Sequence, residues 1–276
     1  DNLIKIVSSW KKALEEQQTY TKKLKFLDNN EENISLNFDH NSDLDTKSYR
    51  INLKVPHREE KLSLKLWSPI INRKKDLIIF MPGLGGDIDN FRWLGSGLSK
   101  KGWPVIFIEH KGSDSVALNS SIKGDEALPG GADIYLYRIK DLDYVINSYK
   151  QDQLGFKSTN SYILMGHSLG ALISMLYEGD SPNNELASRC ESALIDFALT
   201  NLSKLLQCQL LEIPIPEFEK SKELKAIVGF NSFGSLIWPN KNASGIDVPL
   251  LFIGGTFDLI TPLVSEQFKL FLANES

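Results

Sequence analysis

Tyr162-Ile163-Leu164-Met165-Gly166-His167-Ser168-Leu169-Gly170 is a short apolar run followed by a Gly-x-Ser-x-Gly pentapeptide, and Ala171 to Tyr177 continue with largely apolar residues. The run predicts a strand covered on both faces, and the stretch 169–178 predicts a helix. A serine on so sharp a strand-to-helix turn is pushed into a strained conformation with its hydroxyl free, while the glycines let neighbouring backbone pass closely. The helix start then favours negative charge developing nearby. By composition alone such a pentapeptide occurs in roughly one chain of this length in ten. The flanking strand and helix therefore carry the reading of Ser168 as a nucleophile; the plainer alternative is a structural turn.

Outward from this turn, apolar runs recur at Leu77–Met81, Val105–Ile108, Ala226–Phe230 and Pro249–Ile253, with helical segments at 89–101, 134–149 and 263–273. Alternating strands and helices predict an α/β domain with a doubly wound, mostly parallel sheet, whose ligands bind beyond the carboxyl ends of the strands. Ile51, Leu53 and Val55 alternate, as do Leu62, Leu64 and Leu66, which predicts an N-terminal β-hairpin. Residues 1–48 form a helical extension and linker ahead of a domain at 49–276. Its helix carries Leu3, Ile4, Val7, Trp10 and Leu14 at spacings of one to four. Residues 179–222 are too long for an ordinary connection and contain an apolar stretch, Leu194–Leu211. They are expected to be an inserted cap over the carboxyl edge of the sheet, or else a peripheral excursion.

Other classes of partner are disfavoured. Lys and Arg number 31 against 35 Asp and Glu, so no basic excess points to nucleic acid. No apolar run reaches the roughly 18 residues needed for a transmembrane segment. The dinucleotide fingerprint that Gly83 and Gly85 could begin needs glycine at Ile88, and Gly97–Gly102 has phosphate-loop spacing but is followed by Trp103 rather than lysine. No metal-ligand spacing is present. The sequence therefore calls for no metal and no cofactor, leaves a small molecule as the partner, and specifies no oligomeric state.

Pro82-Gly83-Leu84-Gly85-Gly86 follows the first buried run, where a hydrolase needs backbone N–H groups aimed at a developing oxyanion; Leu84 and Leu169 are the expected donors. Asp258 lies just past the last run, in Gly254-Gly255-Thr256-Phe257-Asp258-Leu259-Ile260-Thr261-Pro262, and suits the acid that orients a catalytic imidazole, or simply a turn aspartate. The histidines are His40, His57, His110 and His167, all before Asp258. This order places the base after the acid, so the last strand and the triad histidine are expected to be missing from this chain. His110 ends a strand on the correct edge and is expected, with Gly83 and Gly85, to line the pocket or fix a loop. His40 and His57 are expected to be solvated. Cys190 and Cys208 lie 18 positions apart, and spacing alone leaves a disulfide and two buried thiols equally open.

Residues 50–276 resemble the α/β-hydrolase branch that holds platelet-activating-factor acetylhydrolases and bacterial predicted dienelactone hydrolases. The matching stretches are Trp67-Ser68-Pro69, Gly83-Leu84-Gly85-Gly86, Glu109-His110-Lys111-Gly112-Ser113, Asp141-Leu142-Asp143-Tyr144-Val145, the pentapeptide around Ser168, Asn201–Cys208 and Asp258–Pro262. The resemblance implies a serine esterase acting on short acyl esters or small lipids, with Ser168 as nucleophile, Asp258 as acid, and Leu84 and Leu169 as oxyanion donors. It further implies a Cys190–Cys208 disulfide and favours export over the cytoplasm. Two features depart from it: Pro82 replaces the usual histidine before the oxyanion-loop glycine, and the triad histidine is absent. Serine also stands where true dienelactone hydrolases use cysteine, which argues against that substrate. The alternatives kept are an acyltransferase or thioesterase with the same nucleophile, and a non-catalytic binding protein that retains the fold.

Overall fold

In the computed structural model, a seven-stranded sheet runs in the order β1-β2-β4-β3-β5-β6-β7. The structure describes residues 2–24, 44–71, 76–124, 131–155, 157, 159, 161–182, 185–195, 200–216, 218–240 and 244–274. The hairpin of β1 (Thr46–Leu53) and β2 (Leu62–Pro69) pairs antiparallel, and β2 then lies antiparallel on β4 (Val105–Glu109). β3 (Leu77–Met81), β4, β5 (Tyr162–His167), β6 (Leu224–Phe230) and β7 (Leu250–Ile253) are parallel to one another.

Period-two alternation in β3 divides the core. Leu77, Ile79 and Met81 face one layer, packed with α4 (Asp133–Lys150) and α5 (Leu169–Glu178). Ile78 and Phe80 face the other, with Trp67 and Phe107, against Leu94 and Leu98 of α2 (Arg92–Lys100). Every residue of β3 is buried, as the continuous apolar run requires.

Three expectations are corrected. The run ending at Ile253 is not covered on both faces: β7 is the edge strand of the sheet among the described residues, and Leu251 and Ile253 are exposed. The helix-like stretch 194–211 is not one element. Its described parts belong to the end of α6 (Leu186–Leu194), to α7 (Ser203–Gln209) and to a 3-10 turn over Leu210–Glu212. A helix over Ser115–Lys123, called α3, was not expected; it buries no residue, so no apolar stripe marks it. Its ends are capped by the Asp114 carboxylate, which accepts from Ala117 N, and by Gly124 at φ 78°. The segment read as helix 263–273 begins as one π-turn over Leu263–Gln267 and continues as α-helix, here α8 (Phe268–Ala273).

The N-terminal helix α1 (Asn2–Leu24) meets the domain through its C-terminal half. Gln17 Nε2 donates to the Asp258 carbonyl at 3.1 Å, and the Tyr20 ring packs edge-on against Phe268. Ile4 and Val7 remain exposed. Among the described residues no helix is long and apolar enough to cross a membrane.

Candidate active site

The strand β5 ends directly in Ser168, whose φ of 51° and ψ of −117° lie outside the regions open to ordinary residues. The strain is held from both sides. Ser168 N–H donates to the Phe230 carbonyl at 2.8 Å, and Ala171 and Leu172 N–H donate to the Ser168 carbonyl. Such a bend leaves no room beside it. A Cβ on Gly166 would sit 2.2 Å from the carbonyl carbon of Gly170, and one on Gly170 would sit 2.1 Å from the carbonyl oxygen of Met81. Both glycines are thus imposed by backbone packing, while Ser168 itself is partly exposed.

The loop after β3 lies against this bend. A Cβ on Gly83 would stand 3.0 Å from His167 Nδ1 and 3.2 Å from Ser168 Cβ. Gly83 to Gly86 form a β-turn: Gly86 N–H donates to the Gly83 carbonyl at 3.1 Å, and Gly85 takes φ 67°. Gly85 N–H is consumed by the Ser113 carbonyl at 2.8 Å. The N–H groups of Gly83, Leu84 and Leu169 donate to nothing among the described residues. For Leu169 this follows from its place in the first turn of α5.

Two charged residues of α4, which sequence reading left unassigned, hold these loops. Arg138 is fully buried. Its Nη1 donates to the Pro82 carbonyl at 2.5 Å, its Nη2 to the carbonyls of Gly83 (2.9 Å) and Ser113 (3.2 Å), and its Nε to Ser113 Oγ at 2.9 Å. Burial lowers its pKa, opposed by the carboxylate of Asp141, and the guanidinium stays charged at neutral pH. One turn on, buried Asp141 accepts from His57 Nε2 (2.7 Å), His110 Nδ1 (2.8 Å) and both Nε and Nη2 of Arg58. Burial pushes this carboxyl up, but the hydrogen bonds from His110, His57 and Arg58 outweigh burial and hold it well below the usual carboxylate range.

His110 is thereby placed as a loop anchor. Burial, aided by Arg138, pulls its pKa down to about 4 against the attraction of Asp141, so it is neutral at pH 7 and donates through Nδ1. Its buried Nε2 has no hydrogen-bond partner among the described residues. His57 is corrected: it is not solvated but nearly buried against Asp141. His40 lies outside the described residues. His167 stands at the turn itself, its pKa lowered by burial and partly restored by Asp258, with its ring near that of Phe91.

Asp258 reaches the turn through one intermediary. Asn231, at φ 49°, directly follows Phe230, the acceptor of Ser168 N–H, and its Nδ2 donates to Asp258 Oδ2. The same oxygen accepts from Thr261 Oγ1 at 2.6 Å, and Oδ1 accepts from the N–H groups of Ile260 and Thr261. Burial pushes the carboxyl up, but these donors prevail and its pKa is lowered. The carboxylate therefore closes its own turn, and no imidazole among the described residues is hydrogen-bonded to it.

The segment carrying α6 and α7 joins the strand ends. Asn201 N–H donates to the Leu259 carbonyl and Ser203 N–H to that of Ile260, while Tyr135 Oη of α4 donates to the Leu206 carbonyl at 2.6 Å. A Cys190–Cys208 disulfide links α6 to α7. Beneath them Glu266, fully buried, collects donors from Asn201, Gln207, Gly234 and Ser235.

A family model described as alpha/beta hydrolase fold matches residues 76–188, from just before β3 into the start of α6. The chain has the α/β-hydrolase fold. No curated protein matches it. In this α/β-hydrolase fold the structure sets Gly83, which precedes Leu84 in the loop after β3, against Ser168, with Leu169 next in the chain, and ties Asp258 to that turn through Asn231. Gly85 turns the loop, and His110 stands apart, bound to Asp141. A cavity of about 590 Å³ opens on the same rim near His57, Arg58, Lys111 and Tyr137, at the β4 side of the sheet rather than over Ser168. No cluster of metal-ligating side chains exists among the described residues.

Proposed function

We propose that this protein is a serine hydrolase that cleaves carboxylic esters, short acyl esters or small lipids, through an acyl-enzyme on Ser168. The observation that carries the reading is the strained, partly exposed Ser168 at φ 51° and ψ −117°, gripped between two glycines that admit no side chain. Backbone strain of this kind costs about 1–3 kcal/mol and persists where the surroundings over-determine it, which is why it concentrates at reacting groups. Ser168 Oγ bonds to the acyl carbon, the N–H groups of Leu84 and Leu169 receive the oxyanion, and the acyl–oxygen bond to the alcohol breaks as the leaving oxygen takes up the proton that the serine gave; water then cleaves the acyl-serine ester, releasing the acid and returning a proton to Ser168 Oγ. Asp258, anionic and held beside the turn, takes the role of the orienting acid.

Treating the full-length protein with a fluorophosphonate probe and with p-nitrophenyl acetate tests this. Labelling that maps to Ser168, with turnover abolished in Ser168→Ala, is the expected result. A folded protein that neither labels nor turns over would remove the hydrolytic reading and leave the non-catalytic one. That second reading draws on the way Asp258 is filled by Thr261, Ile260 and Asn231.

A further inference from the structure

Arg138 spends almost its whole guanidinium on backbone carbonyls of two rim loops, which is an unusual use for a buried charge. A carboxylate would be the ordinary partner, and Asp141, one turn away, is occupied by His57, His110 and Arg58 instead. The targets are the carbonyls of Pro82 and Gly83, two successive peptide groups. In a trans peptide the C=O and N–H point in opposite directions. Drawing both carbonyls toward one guanidinium therefore turns the N–H groups of Gly83 and Leu84 the other way, side by side, as a small anion-receiving nest. These are the N–H groups that find no acceptor among the described residues, on a loop whose Gly83 abuts Ser168 Cβ.

We infer that Arg138 is the positioning residue of the oxyanion loop, fixing the Leu84 N–H toward the acyl carbonyl and polarising its peptide. The inference rests on the reading of Ser168 as an acylated nucleophile. Arg138 touches no substrate; it acts through the Gly83–Leu84 peptide. A hydrogen bond from a cation to the carbonyl oxygen withdraws electron density from the peptide and strengthens the N–H on its far side. The same guanidinium grips Ser113, whose carbonyl also accepts Gly85 N–H, so the turn is held at both ends.

The test is a comparison of Arg138→Lys and Arg138→Gln with wild type, using p-nitrophenyl acetate and a trifluoromethyl ketone, whose hydrated or serine-bound oxygen occupies the oxyanion position. Loss of one oxyanion donor costs about 10²–10³ in kcat. The expected result is a kcat reduced by about that factor in Arg138→Gln and by less in Arg138→Lys, with KM changed less than about threefold. Affinity for the ketone should fall in parallel with kcat/KM. A Leu84→Pro variant deletes the N–H at a turn position that favours proline, and adding Arg138→Lys to it should cost no further activity. Folded Arg138 variants with wild-type kcat and ketone affinity would overturn the proposal. If both variants fail to fold, the slowly exchanging guanidinium protons of Arg138 in the wild-type protein are followed by NMR. They should shift when the ketone adduct forms, and unchanged resonances would equally overturn it. A wild-type protein that never labels removes the reading of Ser168 itself, and Arg138's role with it. A labelled wild type with indifferent Arg138 variants removes only the latter.

Discussion

Asn231 and Asp258 meet side chain to side chain, Nδ2 on Oδ2, although 27 positions separate them. The contact fixes the carboxylate after β7 to the residue that follows β6, and the preceding carbonyl, that of Phe230, holds Ser168 N–H. Asp258 and Ser168 are thus registered through adjacent strands and not through a shared loop. A carboxylate has about four acceptor positions, and four donors occupy those of Asp258. An imidazole approaching it must displace the Thr261 hydroxyl or the Asn231 amide.

Thr261→Val deletes one of those donors at nearly constant shape. A hydrogen bond to a charged group contributes about 1.5–3 kcal/mol when buried, and this site is half open, so a cost of about 1 kcal/mol at pH 7 is expected. The folded-state pKa of Asp258 is depressed, so its stabilising contribution is present above the unfolded value and lost as pH falls through the folded one. Urea unfolding at pH 7 and pH 3 should therefore show the Thr261→Val cost shrinking at the lower pH. An equal cost at both would mean that Thr261 does not serve the ionised carboxylate.

Gly170→Ala should be among the most damaging single substitutions in the chain. The new methyl group would stand 2.1 Å from Met81 O and 2.6 Å from its carbonyl carbon, backbone atoms of the buried strand β3 that have nowhere to move. Gly166→Ala meets the backbone of Gly170 at 2.2 Å. Each is expected to cost about 4 kcal/mol or more, the range reserved for overpacking against fixed atoms. Soluble yield and urea midpoints measure this, and a stable Gly170→Ala protein would contradict the close approach.

These glycines show what was legible in the sequence. The turn around Ser168, β3 and β4 are specified locally, by apolar period and by glycines at fixed offsets, and the helix read at 169–178 has those bounds. Arg138 and Asp141 escaped because charged residues at i and i+3 on a helix ordinarily mark a solvated face. Only the tertiary position of α4 turns that face inward. His57 escaped for the same reason, as its polar loop folds onto a carboxylate from elsewhere in the chain. The run of β7 misled in the other direction, because apolar composition records what a strand could bury and not whether a neighbour covers it. The Cys190–Cys208 pairing followed from family resemblance; spacing alone left it open.

His110 should make the protein acid-sensitive before its carboxylates titrate. Its folded-state pKa, about 4, lies below the ordinary 6.5. Between those values the unfolded chain binds a proton that the folded one refuses, so stability is full above about 6.5 and falls progressively toward pH 4. At 1.36 kcal/mol per pKa unit the loss is on the order of 3 kcal/mol. Asp141, with its depressed pKa, contributes a further loss only at lower pH. In His110→Asn, whose side-chain amide can still donate to Asp141, the unfolding free energy should be flatter between pH 6.5 and 4. The same slope in variant and wild type would assign the acid sensitivity elsewhere.

Glu266 should prove to be the group that holds Asn201 and α7 on the Asp258 turn. Its Oε1 accepts from Asn201 Nδ2 and Ser235 Oγ, and its Oε2 from Gln207 Nε2 and the N–H groups of Gly234 and Ser235. In Glu266→Gln the new NH₂ cannot face Oε2's partners, two of which are backbone donors unable to turn. It must face Asn201, where two donors then oppose each other. The expected cost is about 1–3 kcal/mol, that of a buried polar group left unpaired. Asn201 also donates its N–H to the Leu259 carbonyl, so its displacement loosens the turn carrying Asp258, and any turnover of p-nitrophenyl acetate should fall with stability. In a double-mutant cycle of urea midpoints, Asn201→Ala should cost less in the Glu266→Gln background than in wild type, by about the worth of the Glu266–Asn201 bond; the cost that remains reflects the lost Ser203 contact and the positive φ of 70°. Fully additive costs would show that the two residues act separately and that 200–212 is held by other contacts.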